Sequence, residues 1–232
     1  MNDDSDWPPA LWRLLPELAN AIPLLLNPLK PTPTCDADGR GFPVLVIPGI
    51  ASGDESTVQL RRALKRSGFR PYGWKQGFNL GFREGLLEKL EQHIIGIEKK
   101  EGRAPILLGW SLGGLFARAL AHRVPQHVAM VVTLSSPFSG SPKANRAWRL
   151  YELIGTHKVG DIPPGVEFAA KPPVRTIAVW TKRDGIIAPA CARGSSEQSD
   201  KRIELDVTHF GFGGTTRGVR QVVDLLSANL PD

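Results

Sequence analysis

Apolar residues along this chain fall into short continuous runs, separated by stretches in which they recur every three or four positions. Three of the runs, Phe42–Ile47, Ile106–Leu108 and Val128–Leu134, have the compactness of buried parallel strands. Val174–Thr181 and Arg202–Val207 carry a similar signal, and Gly68–Trp74 has room for a short strand. Between them the helical spacing predicts helices over Asp54–Ser67, Glu84–Lys100, Leu112–Arg123 and Gly218–Leu230. The first of these opens on a capping box formed by Ser52 and Glu55. Strands that alternate with helices predict an α/β fold, with a mostly parallel sheet covered on both faces.

Two segments stand outside the alternation. Residues 1–40 are rich in proline, leucine and tryptophan without a strand signal, and read as a helical, proline-rich extension. Residues 138–173 interrupt the alternation with one expected helix, Asn145–Ile154, between proline- and glycine-rich flanks. An insertion placed after a strand of a doubly wound sheet lies near the carboxyl-end crevice, so this one reads as a small helical cap. All 232 residues are expected to form one domain.

Composition narrows the function. A hydrophobic fraction of 41% with 22% charged residues is that of a globular protein. The longest apolar stretch, Leu11–Leu29, is broken by Pro16, Pro23 and Pro28 and carries Arg13 and Glu17, so it does not read as a membrane span. The acidic start (Asp3, Asp4, Asp6) is the opposite of a signal peptide's basic one, and the expected location is cytoplasmic. Packing of residues 1–30 against the domain is favoured over contact with a membrane surface, because prolines interrupt a long interfacial helix. Cys35 and Cys191 read as two unrelated thiols, and the five histidines show no metal-ligand spacing.

The net charge of +6 draws on Arg61, Arg62, Lys65 and Arg66, and on Lys143, Arg146 and Arg149. These clusters lack the aromatics or the motif of a nucleic-acid binder, and read as solvated helix faces that would also attract an anionic substrate or carrier.

The chemistry concentrates at Gly109-Trp110-Ser111-Leu112-Gly113. A Gly-x-Ser-x-Gly pentapeptide alone is a weak signal, but this one lies where an expected strand turns into an expected helix. A serine held at such a tip needs neighbours without side chains two residues to either side, and the helix that follows aims its first amides at an anion. Ser111 is therefore the candidate nucleophile. Of the histidines, His93, His122, His127 and His157 fall in helices, at a strand entrance or in the insertion. His209 follows a late strand and precedes a glycine-rich loop, which makes it the candidate base. Asp184, in a turn directly after a strand, is the candidate acid; Asp206 competes from inside a strand and Asp161 from the insertion. The backbone N–H groups of Leu112 and of Ile50, with Ala51 as the adjacent alternative, are the candidate oxyanion donors, Gly49 letting the chain bend toward the site.

Together "VIPGI", "GWSLGG", "TLSSPFSG", "KRDGII" and "THFG" resemble the α/β-hydrolase superfamily on its esterase and lipase side, over roughly residues 42–230. The wider sequence is similar to a small bacterial branch of unassigned substrate. The resemblance implies Ser111 as nucleophile, Asp184 as acid, His209 as base, and Ile50 and Leu112 as oxyanion donors. It also implies a cap after the strand that ends near Leu134. The chain departs from the family pattern in three places. Pro48-Gly49 stands where many relatives have His-Gly, and the usual first antiparallel strands have no counterpart, so a reduced sheet of about six strands is expected. Phe210 stands where a cysteine follows the histidine in similar sequences.

The implied reaction is hydrolysis of a small apolar acyl ester through an acyl-enzyme, with no metal or organic cofactor. Trp110 and Phe210, next to candidate catalytic residues, are the first choices to line the substrate; Phe138, Trp148 and Tyr151 serve equally well as pocket or core. Asn79 and Arg83 offer a polar substrate contact, Asn79 equally a helix cap. Two other classes stay open: acyl transfer or thioester hydrolysis on an anionic carrier docked on Lys143, Arg146 and Arg149, and a catalytically silent binding protein that keeps the fold.

Overall fold

The computed structural model describes residues 8–25, 27–141, 144–146 and 166–231. Its strands are β1 (Pro43–Ile47), β2 (Arg70–Gly73), β3 (Ile106–Trp110), β4 (Met130–Leu134), β5 (Thr176–Trp180) and β6 (Lys201–Glu204). Its helices are α1 (Leu14–Leu25), α2 (Val58–Arg66), α3 (Leu86–Glu101), α4 (Leu112–Arg123), α5 (Pro189–Arg193), α6 (Gly211–Gly214) and α7 (Thr216–Ser227). The strands form one six-stranded sheet in the order β2-β1-β3-β4-β5-β6, and every neighbouring pair is parallel.

The continuous apolar runs are explained by burial on both faces. Val44, Val46, Ile106, Leu108, Val132 and Val179 pack with Leu60 and Leu64 of α2 and with Val219 and Val222 of α7. The alternate residues Leu45, Ile47, Leu107, Val131 and Ala178 pack with Leu90 and Ile94 of α3 and with Phe116 and Leu120 of α4. Because β1 has β2 on one side and β3 on the other, the sheet order reverses between β1 and β3. The carboxyl ends of these two strands therefore flank the crevice of a doubly wound sheet.

Local differences from the sequence expectations have local causes. The helix expected over Asp54–Ser67 begins as a 3₁₀ turn, Asp54–Thr57, before α2. The expected capping box does not form: Glu55 accepts the N–H of Gly53 rather than of Ser52, at 2.8 Å, and the Ser52 hydroxyl donates back to the Gly49 carbonyl at 2.9 Å. The last strand stops at Glu204 because the chain turns at Leu205–Val207, where the Val207 N–H donates to the Leu205 carbonyl. Most of the helix expected over Asn145–Ile154, with Trp148, Tyr151, Lys143, Arg149, His157 and Asp161, lies outside the described residues.

The basic run on α2 helps to fasten the N-terminal segment to the sheet domain. Arg62 donates to the Pro28 carbonyl at 2.9 Å and Arg66 to the Thr32 carbonyl at 2.6 Å, so these cations secure a proline-rich strap as well as facing solvent. Arg146 likewise donates to the Pro9 carbonyl. Helix α1 lies against α6 with Glu17 buried, and turns Leu15 and Leu18 to solvent. Among the described residues no helix is long and apolar enough to cross a membrane.

Candidate active site

The turn from β3 into α4 holds Ser111 at φ 55°, ψ −121°, a left-handed conformation that non-glycine residues adopt only where the surroundings enforce it. Contacts of the flanking glycines show the enforcement. A Cβ on Gly109 would meet the Gly113 carbonyl oxygen at 2.3 Å, and one on Gly113 would meet the Ile47 carbonyl oxygen at 2.2 Å. Gly114, which the pentapeptide does not include, is as constrained: its Cβ would lie 1.9 Å from Ser136 Oγ. Strand β3, helix α4 and the end of β1 thus meet with backbone against backbone, and Ser111 is the residue left at the tip. Its own N–H is tied to the Leu134 carbonyl at 2.8 Å.

The loop after β1 runs beside this tip, with a Cβ position at Gly49 only 3.4 Å from Ser111 Cβ. The two candidate amides of the loop differ in availability. Ala51 donates to the Asn79 carbonyl at 2.8 Å, whereas the Ile50 N–H meets no acceptor among the described residues. The Leu112 N–H, first in α4, lacks an intrahelical acceptor by its position. Asn79 is fully buried, and it binds neither as a helix cap nor at the protein surface. Its side chain donates to the Pro48 carbonyl at 2.8 Å, and its own N–H donates to the Ser52 carbonyl at 2.9 Å, so it braces the loop that carries Ile50. Arg83 is exposed and donates to the Gln76 carbonyl.

Asp184 and His209 come together from the loops after β5 and β6. His209 Nδ1 lies 2.9 Å from Asp184 Oδ2, and both side chains are buried. The other carboxylate oxygen, Oδ1, accepts the Ile186 and Ile187 N–H groups at 2.8 and 2.7 Å, so the acid cannot swing without losing two hydrogen bonds. Burial pushes the imidazole pKa down, but the charge and hydrogen bond of Asp184, with the charge of Glu17, outweigh it and leave His209 above the ordinary histidine value. Asp206, the competing carboxylate, is exposed and pairs with Arg183 and Arg217. The other described histidines are engaged elsewhere: His93 with the Gly73 carbonyl, His122 with the Ala170 carbonyl and His127 with Glu98. Among the described residues no group of three or more His, Cys, Asp or Glu is placed to hold a metal ion.

The aromatic candidates separate. The Trp110 ring is 6.0 Å from the His209 ring and 6.3 Å from that of Phe210, so these three form one cluster. Phe138 is core, its ring covered by the Arg118 guanidinium at 4.0 Å. Arg118 is itself buried on α4, with burial lowering its pKa to about 10. It donates to the carbonyls of Phe168, Ala170 and Gln198, clasping the return of the insertion. Cys35 and Cys191 are not joined in a disulfide.

Three residues in these networks, Glu17, Asn79 and Arg118, are missed or misread from sequence. The available signal for Glu17 and Arg118 was a charge set among apolar residues at helical spacing, in "LLPELANAI" and "LGGLFARALA". Asn79 carries no such signal, since its role is to hold backbone.

Comparison with known proteins bears on the fold. The sequence model of the α/β-hydrolase fold matches residues 87–152, the stretch that contains Ser111. A Drosophila melanogaster protein named as a lysosomal thioesterase PPT2 homolog is 31% identical over 109 residues, which cover 42% of this chain and 36% of that protein. The chain thus matches little more than a third of that relative's length. Among solved structures, a monoacylglycerol lipase of Paleococcus ferrophilus superposes with a TM-score of 0.59 at 18% identity, over 84% of this chain and 96% of that one. A pyrethroid hydrolase of Sphingobium faniae gives 0.56 at 16% identity, over 81% and 97%. Lipase B of Aspergillus fumigatus gives 0.57 at 19% identity, over 84% and 56%. With an all-parallel sheet of this order, a strained serine between β3 and α4, and these likenesses, the chain has the α/β-hydrolase fold.

Proposed function

We propose that this chain is a serine hydrolase that cleaves carboxylic esters of apolar acyl groups through a covalent acyl-enzyme. The observation that carries the reading is the left-handed backbone of Ser111, a strain with no packing purpose at a residue whose side chain is a hydroxyl. The His209–Asp184 pair supports it.

In the first half-reaction Ser111 Oγ attacks the ester carbonyl carbon while His209 Nε2 accepts the hydroxyl proton. The carbonyl electron pair moves onto oxygen, where the amides of Ile50 and Leu112 receive it; one such donor is worth about 10²- to 10³-fold in rate. Collapse of the tetrahedral intermediate breaks the bond to the leaving alkoxide, which takes the proton back from His209. Water then attacks the acyl-serine with His209 again as base, releasing the acid and restoring the hydroxyl. Asp184 holds the Nδ1–H tautomer and stabilises the imidazolium in both halves. Trp110 and Phe210 supply the apolar wall closest to the histidine. None of these steps requires a metal or organic cofactor.

A second reading uses the same serine on a thioester, with a thiolate as leaving group. The likeness to a protein named as a thioesterase favours it. Of the cations offered for docking an anionic carrier, Arg146 is already engaged with the Pro9 carbonyl. Turnover of p-nitrophenyl esters from acetate to palmitate, beside acyl-thioesters of matched length, separates the two readings. Ester turnover with a chain-length preference supports the first, and a preference for thioesters supports the second. Inertness to both, together with failure to react with a serine-directed phosphonate, returns the chain to the class of silent binding proteins.

A further inference from the structure

We propose that Glu17 is a positioning residue for the His209–Asp184 pair, a single carboxylate on the N-terminal helix that holds the loop of the acid and the loop of the base in register. The assignment rests on the serine-hydrolase reading and extends it to a segment that the sequence sets apart from the α/β core.

The geometry is specific. Glu17 Oε1 accepts the Gly185 N–H at 3.0 Å and the His209 N–H at 2.7 Å, and Oε2 accepts the Phe210 N–H at 2.9 Å. Gly185 directly follows the candidate acid, and the other two amides belong to the candidate base and its neighbour. The loops are shaped to receive the helix. A Cβ on Gly185 would lie 2.4 Å from the Arg13 carbonyl oxygen and 2.8 Å from Glu17 Cγ. On the histidine side, a Cβ on Gly214 would lie 2.9 Å from the Asn20 carbonyl oxygen. One helical turn along, Asn20 Nδ2 donates to Thr208 Oγ1 at 2.9 Å, a second tie to the residue before the histidine.

Glu17 is 1% exposed, and among the described residues no lysine or arginine pairs with it. A buried carboxylate satisfied by amides alone is costly, and an uncharged residue able to accept hydrogen bonds would hold the loops with less penalty. The charge acquires a use when His209 becomes an imidazolium during each half-reaction. The charged groups facing His209 are then Asp184 from the loop after β5 and Glu17 from α1. Asp206, on the loop leading to His209, is turned outward to Arg183 and Arg217.

The test compares wild type, Glu17→Gln and Glu17→Asp in kcat, KM and the pH profile of kcat/KM on a p-nitrophenyl ester. The rate of inactivation by a serine-directed phosphonate and the melting temperature are followed in parallel. Glu17→Gln removes the charge and one acceptor. It is expected to lower kcat and the phosphonate rate by roughly 10- to 100-fold with KM little changed, as a small misplacement of a catalytic group does. Its acid limb moves to lower pH, because the imidazolium has lost a neighbouring negative charge. Glu17→Asp keeps the charge, so its acid limb stays with wild type while kcat falls less; it also carries the test if the glutamine variant does not fold. A Glu17→Gln protein with wild-type kcat and an unmoved acid limb, or one altered in melting temperature alone, overturns the assignment while the serine-hydrolase reading stands. A wild type whose Ser111 does not react with the phosphonate overturns that reading, and this assignment with it.

Discussion

Gly113 of α4 lies against the end of β1 so closely that a Cβ would come within 2.2 Å of the Ile47 carbonyl oxygen. The approach brings the start of α4 to the loop carrying Ile50, so one contact sets both the tilt of Ser111 and its distance from that loop. Gly113→Ala forces backbone apart where no side chain can yield. It is expected to cost about 1–3 kcal/mol of stability, the usual range for overpacking, and to lower kcat more than KM. Gly96, inside α3 with nothing within 4 Å of its Cβ position, is the matched control. Gly96→Ala is expected to stabilise by about 0.5–1 kcal/mol with kcat unchanged. Denaturant melts and ester kinetics on both variants check the pair.

His209 titrates above the ordinary histidine value in the folded chain, and two consequences follow in opposite pH directions. The proposed mechanism needs the neutral imidazole, so the acid limb of kcat/KM is expected above about pH 6.5, the unperturbed value. Stability runs the other way. The folded state holds a proton that the unfolded chain releases near pH 6.5, so the contribution is full below that pH and is lost as pH rises through the folded value. Asp184→Asn removes the charge that dominates the upward shift. Its acid limb is expected to move down, with kcat falling by roughly 10⁴-fold, the order seen when a triad acid is made neutral. A pH series of initial rates and melting temperatures on the two proteins reads both effects.

Asn79 braces from behind the loop that carries Ile50, the proposed oxyanion donor. Asn79→Ala removes the donor to the Pro48 carbonyl, and leaves the backbone bond from Ala51 to residue 79 in place. A buried hydrogen bond lost on one side costs about 1–3 kcal/mol in stability. With Ile50 less firmly held, kcat is expected to fall by roughly tenfold or more while KM changes little. Kinetics with a chemical-denaturation curve on the same preparation check the split.

Arg118 predicts a stability effect without a matching effect on chemistry. Arg118→Met leaves the carbonyls of Phe168, Ala170 and Gln198 without their shared donor, and hydrogen bonds to a charged group are worth about 1.5–3 kcal/mol each. The variant is expected to lose at least about 3 kcal/mol, and the chain near residues 166–170 to gain amide exchange. Hydrogen exchange measured by mass spectrometry localises the change.

Much of the fold was legible because its strands are buried on both faces. Val44–Ile47, Ile106–Leu108 and Met130–Leu134 have no solvent side to break the apolar run, so sequence and structure agree there to within a residue or two. Ends governed by hydrogen bonds were less legible. Ser52 looked like a cap and instead donates back to the Gly49 carbonyl, while the chain leaves β6 at a local turn that composition does not announce. The Ser111 turn was readable because its glycines answer to a steric demand that has few other solutions. Glu17 and Asn79 were not, since each binds the backbone of loops distant in sequence, and backbone amides leave no mark on residue type.

The most direct test of the central claim is whether Ser111 carries the acyl group. Wild type and Ser111→Ala are mixed with a p-nitrophenyl ester, quenched during turnover, and measured by intact mass and peptide mapping, with circular dichroism to verify folding. The account predicts an acyl adduct on the peptide containing Ser111 in the wild type, and neither adduct nor turnover in a folded Ser111→Ala protein. An adduct on another residue, or a Ser111→Ala protein that hydrolyses the ester at the wild-type rate, contradicts it.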